Sequence, residues 1–345
     1  MNETMNVGKV LADQLERLFD KSVTREVLVR AQAGALPEGL WNELENMGIP
    51  QALVKEEAGG VGLPWADVES VWRAIGYHAA PLPLGETMIG RWALAAAGLE
   101  VPDGLLAVGA NVARLDDTGR VFCADHLPWA SEAGHIVVAA AVQGQCHIAL
   151  LSRGDATADT QPTINRIPAA RLDAAGAQAI ARAPLAALGT LGLLPYVAAL
   201  RASQMSGCLD RLLALCVEHA NTRVQFGKPI AKFQAIRHLV ASLAEQGAAA
   251  RVASRFGCLG LDGGDVELTS AVAKIRAGRS ASACTAIAHQ VFGAMGVTDE
   301  HALHFFTRSL WQWRDEGQSE HWWAERLGAR VIAAGGAALW PNLVA

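Results

Sequence analysis

The chain has 345 residues, of which 51% are hydrophobic, so it is longer than most single domains and can fill two or three sizeable cores. A formal net charge of -5, with arginines scattered along the chain, excludes the basic patch that nucleic-acid binding requires. The six cysteines show no CxxC motif and no metal-like spacing with histidine, which predicts reduced thiols, no metal site and a cytoplasmic protein.

Three zones follow one another along the chain. The first, residues 1–100, begins without a signal-peptide pattern and shows helical periodicity, which predicts an N-terminal helical domain and no membrane span. Residues 101–188 contain short apolar runs between turn residues, typical of a small β-domain, with a hairpin predicted at Gln143 and Gly144. Residues 189–345 return to a helical period rich in Ala and Leu, which predicts a C-terminal helical bundle.

The segment 221–234 lies between two apolar patterns of helical period, so it is predicted to join two helices. Arg223 and Phe226, at i and i+3, are predicted on the last turn of the first helix. A guanidinium and an aromatic face so placed can bind a phosphate with an attached ring. The alternative is structural, because an arginine at a helix C-terminus offsets the macrodipole and a phenylalanine there packs inward.

The string RVQFGKPIAKFQ, residues 223–234, closely resembles the helix-junction signature of the acyl-CoA dehydrogenase family. QVFGAMGVTDEHALHFFTRSLWQWR, residues 290–314, resembles a later segment of that family, and residues 40–68 resemble its N-terminal helical region more weakly. The resemblance is strongest from about residue 209 to 328. It implies a mainly α fold with a central small β-domain: an N-terminal helical domain, a β-barrel-like middle domain and a C-terminal four-helix bundle.

The same resemblance implies FAD as the cofactor and assigns residues to it. Arg223 and Phe226 match positions that contact the FAD pyrophosphate and adenine, and a glycine-rich turn matches one that holds the FAD of a neighbouring subunit. Without the resemblance that turn is only a helix end, and Trp129 is a strand-end core aromatic. The remaining matched positions are Gln290, Gly293 and Gly296 in the turn, Trp129 and Ser131 near the flavin, and Gln318 after the acidic pair.

Glu316 matches the position of the catalytic base, which removes the α-proton of an acyl-CoA thioester while a hydride passes to flavin N5. Asp315 and Glu320 are close competitors, and a solvated acidic loop is the structural alternative. Some members carry the base on an earlier bundle helix, but no acid occurs at residues 197–201.

Several departures from the family pattern leave two hypotheses open. A stretch that contacts flavin and substrate has no counterpart between Leu105 and Asp125, Lys55 replaces a proline, and Gln318 replaces a threonine. Such changes resemble variant subunits of heteromeric acyl-CoA dehydrogenases. The chain is therefore either a homodimeric or tetrameric flavoenzyme that passes electrons to an electron-transfer flavoprotein, or a non-catalytic partner in a heterotetramer.

Aromatic and histidine residues near the acidic segment allow further interpretations. Four tryptophans flank it and can either line a wide pocket for a ring-bearing acyl group or pack the bundle. They are Trp311, Trp313, Trp322 and Trp323. His301 and His304 lack a third metal ligand within reach, so we assign them to packing or solvent.

Overall fold

The computed structural model describes residues 7–116, 118–338 and 340. Within them, helices precede and follow a region of β-strands, so the predicted fold class, mainly α with a central small β-region, is confirmed. Most of the N-terminal helices share one hydrophobic core with the strands, whereas Leu28 of the second helix belongs to a separate core. The N-terminal helices are α1 (Val7–Ser22), α2 (Arg25–Gln32), α3 (Glu38–Asn46), α4 (Trp65–His78) and α5 (Leu84–Ala96).

The strands of the middle region form a closed barrel and a separate three-stranded sheet. They are β1 (Leu106–Leu115), β2 (Arg120–Phe122), β3 (Ala124–Pro128), β4 (His135–Val142), β5 (Gln145–Ser152), β6 (Thr157–Gln161), β7 (Ala169–Asp173) and β8 (Ala177–Pro184). The barrel order is β1-β2-β8-β5-β4, and it is closed by the parallel pairing of β1 with β4. The remaining strands pair antiparallel in the order β3-β7-β6.

The hairpin predicted at Gln143 and Gly144 is confirmed. Val142 pairs with Gln145, and the two residues between them have φ angles of 47° and 81°. Positive φ at both central positions is the geometry of a type I′ turn, whose twist matches that of the flanking strands. Local sequence was sufficient here because a glycine-containing turn separates two short apolar runs.

The C-terminal region is a bundle dominated by three long helices. Its elements are α6 (Leu194–Thr222), β9 (Val224–Gln225), β10 (Lys228–Pro229), α7 (Gln234–Leu261), α8 (Val266–Phe292), α9 (Leu303–Asp315) and α10 (Glu320–Ala334). The shorter helix α9 packs on α6 and α8, and α10 packs on α8. The first residues of α6, up to Leu200, belong to the core shared with the barrel, whereas Ala202 and later residues belong to a second core inside the bundle.

The placement of Arg223 and Phe226 on the last turn of a helix is wrong. Helix α6 ends at Thr222, and Arg223 is already extended, with φ of -73° and ψ of 119°. Phe226 and Gly227 then form a tight turn with φ angles of 52° and 77°, between β9 and β10. Positive φ at two successive residues is incompatible with a right-handed helix, so the chain reverses as a short hairpin.

Two glycines allow α4 and α6 to cross at backbone contact. A Cβ added to Gly76 would lie 1.8 Å from the carbonyl oxygen of Gln204, and one added to Gly207 would lie 1.9 Å from that of Arg73. Neither position can accept a side chain without separating the helices. This crossing joins the N-terminal helices to the bundle.

We expect Gly207→Ala to lower the free energy of unfolding by about 2–3 kcal/mol, because the helices must move apart. Gly328→Ala in α10 is the matched control, since no atom lies within 4 Å of its added Cβ. The control should be neutral or stabilising by up to about 1 kcal/mol through helix propensity. Denaturant unfolding of both variants checks this, and equal stability of the two would contradict the crossing.

Candidate functional site

Two cavities lie between the β-region and the bundle, on either side of the same four residues. The Trp129 cavity, lined also by Trp313 and Thr163, has a volume of about 40 Å³. The Gln318 cavity, lined also by Asn111 and Asp125, has a volume of about 230 Å³. The residues common to both are Glu86, Pro128, Arg201 and Glu316. Glu316, the predicted base, therefore lies at the boundary of the β-region and the bundle.

Glu316 directly follows α9, and both of its carboxylate oxygens have protein partners. The side chain is 14% exposed, and its Oε2 lies 2.6 Å from Nε of Arg201. Its Oε1 accepts a hydrogen bond of 2.8 Å from Nε2 of Gln312. The other amide atom of Gln312, Oε1, accepts from the backbone N–H of Ile164 at 2.9 Å, which ties Glu316 to the middle region.

Arg201 is the centre of this site, although sequence analysis considered its position only for an acid. Its side chain is 3% exposed and binds two carboxylates, since Nη2 donates to Oε1 of Glu86 at 2.5 Å while Nε pairs with Glu316. Nη1 donates to Gln204 at 2.7 Å. Burial lowers the pKa of the guanidinium, but the charges of Glu316 and Glu86 outweigh it and hold the pKa above its ordinary value.

This arrangement limits what Glu316 can do chemically. A general base needs a lone pair directed at the proton that it removes. Here Oε2 lies at ion-pair distance from a buried guanidinium but makes no hydrogen bond, and Oε1 accepts from an amide N–H, so a substrate proton would share an oxygen with one of these two partners. The ion pair is consistent with a structural carboxylate that compensates a buried cation.

Asp125 closes the other wall of the Gln318 cavity and was not recognised from the sequence. Its carboxylate accepts hydrogen bonds from the backbone N–H groups of Ala110 at 2.9 Å, Asn111 at 3.2 Å and His126 at 3.0 Å. Burial raises the pKa of Asp125 although these donors oppose the shift. The register of β1 against β4 shifts between Gly109 and Ala113, so Asp125 holds an irregular part of the strand.

The residues predicted near a flavin are only partly brought together. Trp129 is 2% exposed, has a φ of 54° and lines its cavity beside Glu316. Gln318 lines the other cavity, and its Nε2 donates to Oδ1 of Asn111 at 3.4 Å. Ser131 is exposed in the turn after β3 and lines neither cavity.

The predicted dinucleotide residues lie at the far end of α6. Phe226 is 91% exposed at the hairpin tip, and Arg223 beside it is also exposed. His219 stacks on Phe292 with ring centroids 4.2 Å apart, which brings the end of α6 next to the turn after α8. Because Arg201 and Arg223 are separated by 22 positions of α6, they lie about 33 Å apart at 1.5 Å per residue.

The residues predicted to hold FAD at the turn after α8 differ in their exposure. Gln290 is exposed on α8, and Gly293, with φ of 59°, has no atom within 4 Å of an added Cβ. Gly296 is buried, and an added Cβ would lie 2.9 Å from Phe292 and 3.1 Å from Leu303. Packing therefore explains Gly296, whereas Gln290 and Gly293 are open to a ligand or a partner.

The competing acids and the tryptophans are also placed. Asp315 is exposed at the Gln318 cavity, while Glu320 pairs with Arg314 at 2.6 Å. Burial raises the pKa of Glu320, but Arg314 outweighs it and holds the pKa below its ordinary value. Of the four tryptophans near the acidic segment, Trp313 faces the Trp129 cavity and Trp323 is fully buried in the core.

The two histidines assigned to packing or solvent lie beside aromatic rings. His301 lies 4.5 Å from the Phe292 ring and His304 lies 4.0 Å from Phe305. The described residues contain no group of three or more His, Cys, Asp or Glu that could hold a metal. They also contain no helix that is long and apolar enough to cross a membrane.

Comparison with known proteins identifies related chains. Residues 190–313 match the model of the acyl-CoA dehydrogenase C-terminal domain. The chain is 32% identical over 272 residues to acyl-CoA dehydrogenase IpdE2 of Mycobacterium tuberculosis, which covers 78% of this chain and 79% of that protein. Two solved structures share the fold over 96% of this chain and 98% of theirs. They are the Tcur3481-Tcur3483 steroid ACAD, with a TM-score of 0.86 and 23% identity, and the ChsE4-ChsE5 complex from Mycobacterium tuberculosis, with 0.80 and 20%.

We expect Arg201→Met to lower the free energy of unfolding by about 3–5 kcal/mol, because it leaves Glu86 and Glu316 buried without their cation. Arg330→Met, which removes an exposed ion pair with Asp265, should cost less than about 1 kcal/mol. Urea unfolding of the two variants tests the contrast. A loss in Arg201→Met no larger than in the control would mean that the site is hydrated.

Proposed function

Because the chain belongs to the acyl-CoA dehydrogenase family, we propose that it is one subunit of a heteromeric acyl-CoA dehydrogenase and completes a FAD site of its homologous partner. The observation that carries the proposal is the engagement of both Glu316 oxygens, by Arg201 and by Gln312. In this proposal the partner chain supplies the base. This chain contributes Arg223 and Phe226 to the dinucleotide end of the cofactor.

The reaction proposed for the complex is α,β-dehydrogenation of an acyl-CoA thioester. FAD, the cofactor of this family, supplies a hydride acceptor at N5 when bound. A carboxylate must remove the α-proton in the same site, and hydrogen bonds to the thioester carbonyl acidify that proton. Electron-transfer flavoprotein is the proposed acceptor of the electrons. The Tcur3481-Tcur3483 steroid ACAD supports a bulky, ring-bearing acyl group as the substrate class.

The two ends of α6 differ in how well they fit FAD. At the far end, the exposed guanidinium of Arg223 and the exposed ring of Phe226 suit a pyrophosphate and an adenine. At the near end, the Gln318 cavity of about 230 Å³ is smaller than the roughly 300–1,000 Å³ of typical ligand pockets. There, Asp125 also takes the N–H groups of Ala110 and Asn111 that a ligand would need.

The separation of these ends supports a shared site. About 33 Å of α6 lies between Arg201 and Arg223, so the residues at the two ends serve different ligand molecules or different parts of an extended one. In the proposal, a dinucleotide held by Arg223 has its flavin ring in the pocket of a neighbouring subunit. The ChsE4-ChsE5 complex, which shares this fold, is an assembly of two differently named chains.

A second candidate is that this chain is itself the catalytic subunit, with Glu316 as the base. Nε1 of Trp129 favours it, because this buried donor has no hydrogen-bond partner among the described residues and lies at the Trp129 cavity. A ligand acceptor there would satisfy it. In that case the substrate proton has to reach a carboxylate oxygen that also contacts Arg201 or Gln312.

Purification of the chain alone and together with a homologous chain tests the proposal directly. Visible absorbance reports bound flavin, and native mass spectrometry reports the assembly. A colourless chain that gains flavin only in a mixed oligomer supports a partner subunit. A yellow homodimer or homotetramer with acyl-CoA dehydrogenase activity overturns it and supports the second candidate.

In the mixed complex, we expect Arg223→Gln to weaken FAD binding about 10- to 100-fold, since a charge-assisted contact contributes about 1.5–3 kcal/mol. Glu316→Gln should leave turnover within about twofold of the wild type, because the amide preserves the side-chain shape and the base lies in the partner. Arg17→Gln, at an exposed residue of α1, is the control for charge loss. A fall in turnover by several decades in Glu316→Gln would instead identify Glu316 as the base.

A further inference from the structure

Lys274 is a lysine without solvent contact, in the middle of α8. Its exposure is 0%, although lysine is among the residues most rarely buried. The side chain crosses to the end of α9, where Nζ donates to the carbonyl oxygen of Trp313 at 2.9 Å and to that of Arg314 at 2.6 Å. Because burying an amine is costly, two hydrogen bonds to consecutive backbone carbonyls indicate that this amine has a structural role at the end of α9.

The two carbonyls belong to the last turn of α9, directly before Glu316. The final carbonyls of a helix have no partner within the helix, and the negative end of the helix dipole lies there. An amine at this position donates to the unpartnered carbonyls and, when protonated, places a positive charge at the negative end of the dipole. Lys274 therefore determines where α9 ends and where the acidic loop, residues 315–319, begins.

The acidic loop is held from several sides. Gly317 and Gln318 both have positive φ, at 68° and 69°, and the carbonyl of Gly317 accepts from Nε1 of Trp323 at 2.8 Å. Gln318 contacts the β-region through Asn111, and Glu316 pairs with Arg201. Small displacements at the end of α9 would change both of these contacts.

We propose that Lys274 is a positioning residue: its amine fixes the last turn of α9 and thereby sets the contacts of Glu316 with Arg201 and of Gln318 with the β-region. The proposal holds whether Glu316 is a base or a structural carboxylate, so it does not rest on the proposed function. In this proposal Lys274 acts through the backbone at the end of α9, and it lines neither the Trp129 cavity nor the Gln318 cavity.

Charged groups from three neighbouring segments face Lys274. They are Glu316 and Asp315 at the end of α9, Glu320 at the start of α10, and Arg201 on α6. Burial lowers the pKa of Lys274 to about 7, the attraction of Glu316 offsets part of this shift, and Arg201 adds to it. The amine is therefore about half protonated near neutral pH.

This pKa gives the proposal a pH signature. Between pH 7 and 10.5, the ordinary pKa of lysine, the folded chain has released this proton while the unfolded chain still holds it. The free energy of unfolding contributed by Lys274 consequently rises with pH across this window, and the cost of burying the charge is at its maximum below pH 7. If opening of the acidic loop hydrates the amine, opening is favoured by lower pH in the same window.

The test compares the wild type with Lys274→Met, Lys274→Gln and the exposed-lysine control Lys21→Met. In Lys274→Met, hydrogen exchange of peptides from residues 311–324 should be at least about tenfold faster than in the wild type, while α7 keeps its protection. From pH 7 towards 10.5, the unfolding equilibrium constant of the wild type should fall relative to Lys274→Met by up to about tenfold per pH unit. The control should follow the wild type in both measurements.

Lys274→Gln keeps an N–H donor but not the titrating charge, and it remains available if Lys274→Met does not fold. We expect it to exchange more slowly than Lys274→Met in residues 311–324 and to lack the wild type's rise in stability with pH. Unchanged exchange of this segment in Lys274→Met, or parallel pH curves for the wild type and both variants, would overturn the proposal. Neither hydrogen exchange nor the pH dependence of unfolding depends on flavin or turnover. Failure of this proposal is therefore distinct from failure of the proposed function.

Discussion

The buried guanidinium of Arg201 is the constraint on which the arrangement of the site depends. Arg201 stands in the chain between Leu200, which belongs to the core shared with the barrel, and Ala202, which belongs to the core of the bundle. A permanent charge at such a place requires compensation, because water cannot reach it and arginine does not lose its proton. Glu86 from α5 and Glu316 from the end of α9 provide it, so one side chain connects three segments that are distant in sequence.

The pairing of Arg201 with Glu316 bears on two properties that a catalytic subunit has to combine, namely a base and a dinucleotide site. Both oxygens of Glu316 have protein neighbours, Arg201 and Gln312, whereas the exposed residues at the far end of α6 take no part in that pairing. Phe226 and Arg223 remain exposed because the hairpin projects beyond the helix end. A closed near end and an open far end, about 33 Å apart, are compatible within one rigid helix.

Sequence predicted those parts of the structure that depend on neighbouring residues. Local sequence is sufficient to predict helices α6 and α7, from their periodic apolar residues. It is also sufficient for the turn at Gln143 and Gly144. The hairpin at Phe226 escaped prediction, because a phenylalanine at positive φ contradicts the usual turn residues. The pairing of Arg201 with Glu86 spans 115 positions, and Lys274 reaches α9 from within an Ala- and Ser-rich helix. No local pattern distinguishes these residues from ordinary surface charges.

The presence of an acid at Glu316 has a physical reason that does not involve catalysis. Glu86 alone would still compensate the charge of Arg201, so what Glu316 adds is a second ion pair, which connects the end of α9 to α6. An acid at the expected position of a base therefore does not by itself indicate a base. What separates a catalytic carboxylate from a structural one is whether its lone pairs face an open cavity or a buried cation. Glu316 meets both conditions in part, since it lines two cavities and its Oε2 also lies 2.6 Å from the guanidinium of Arg201.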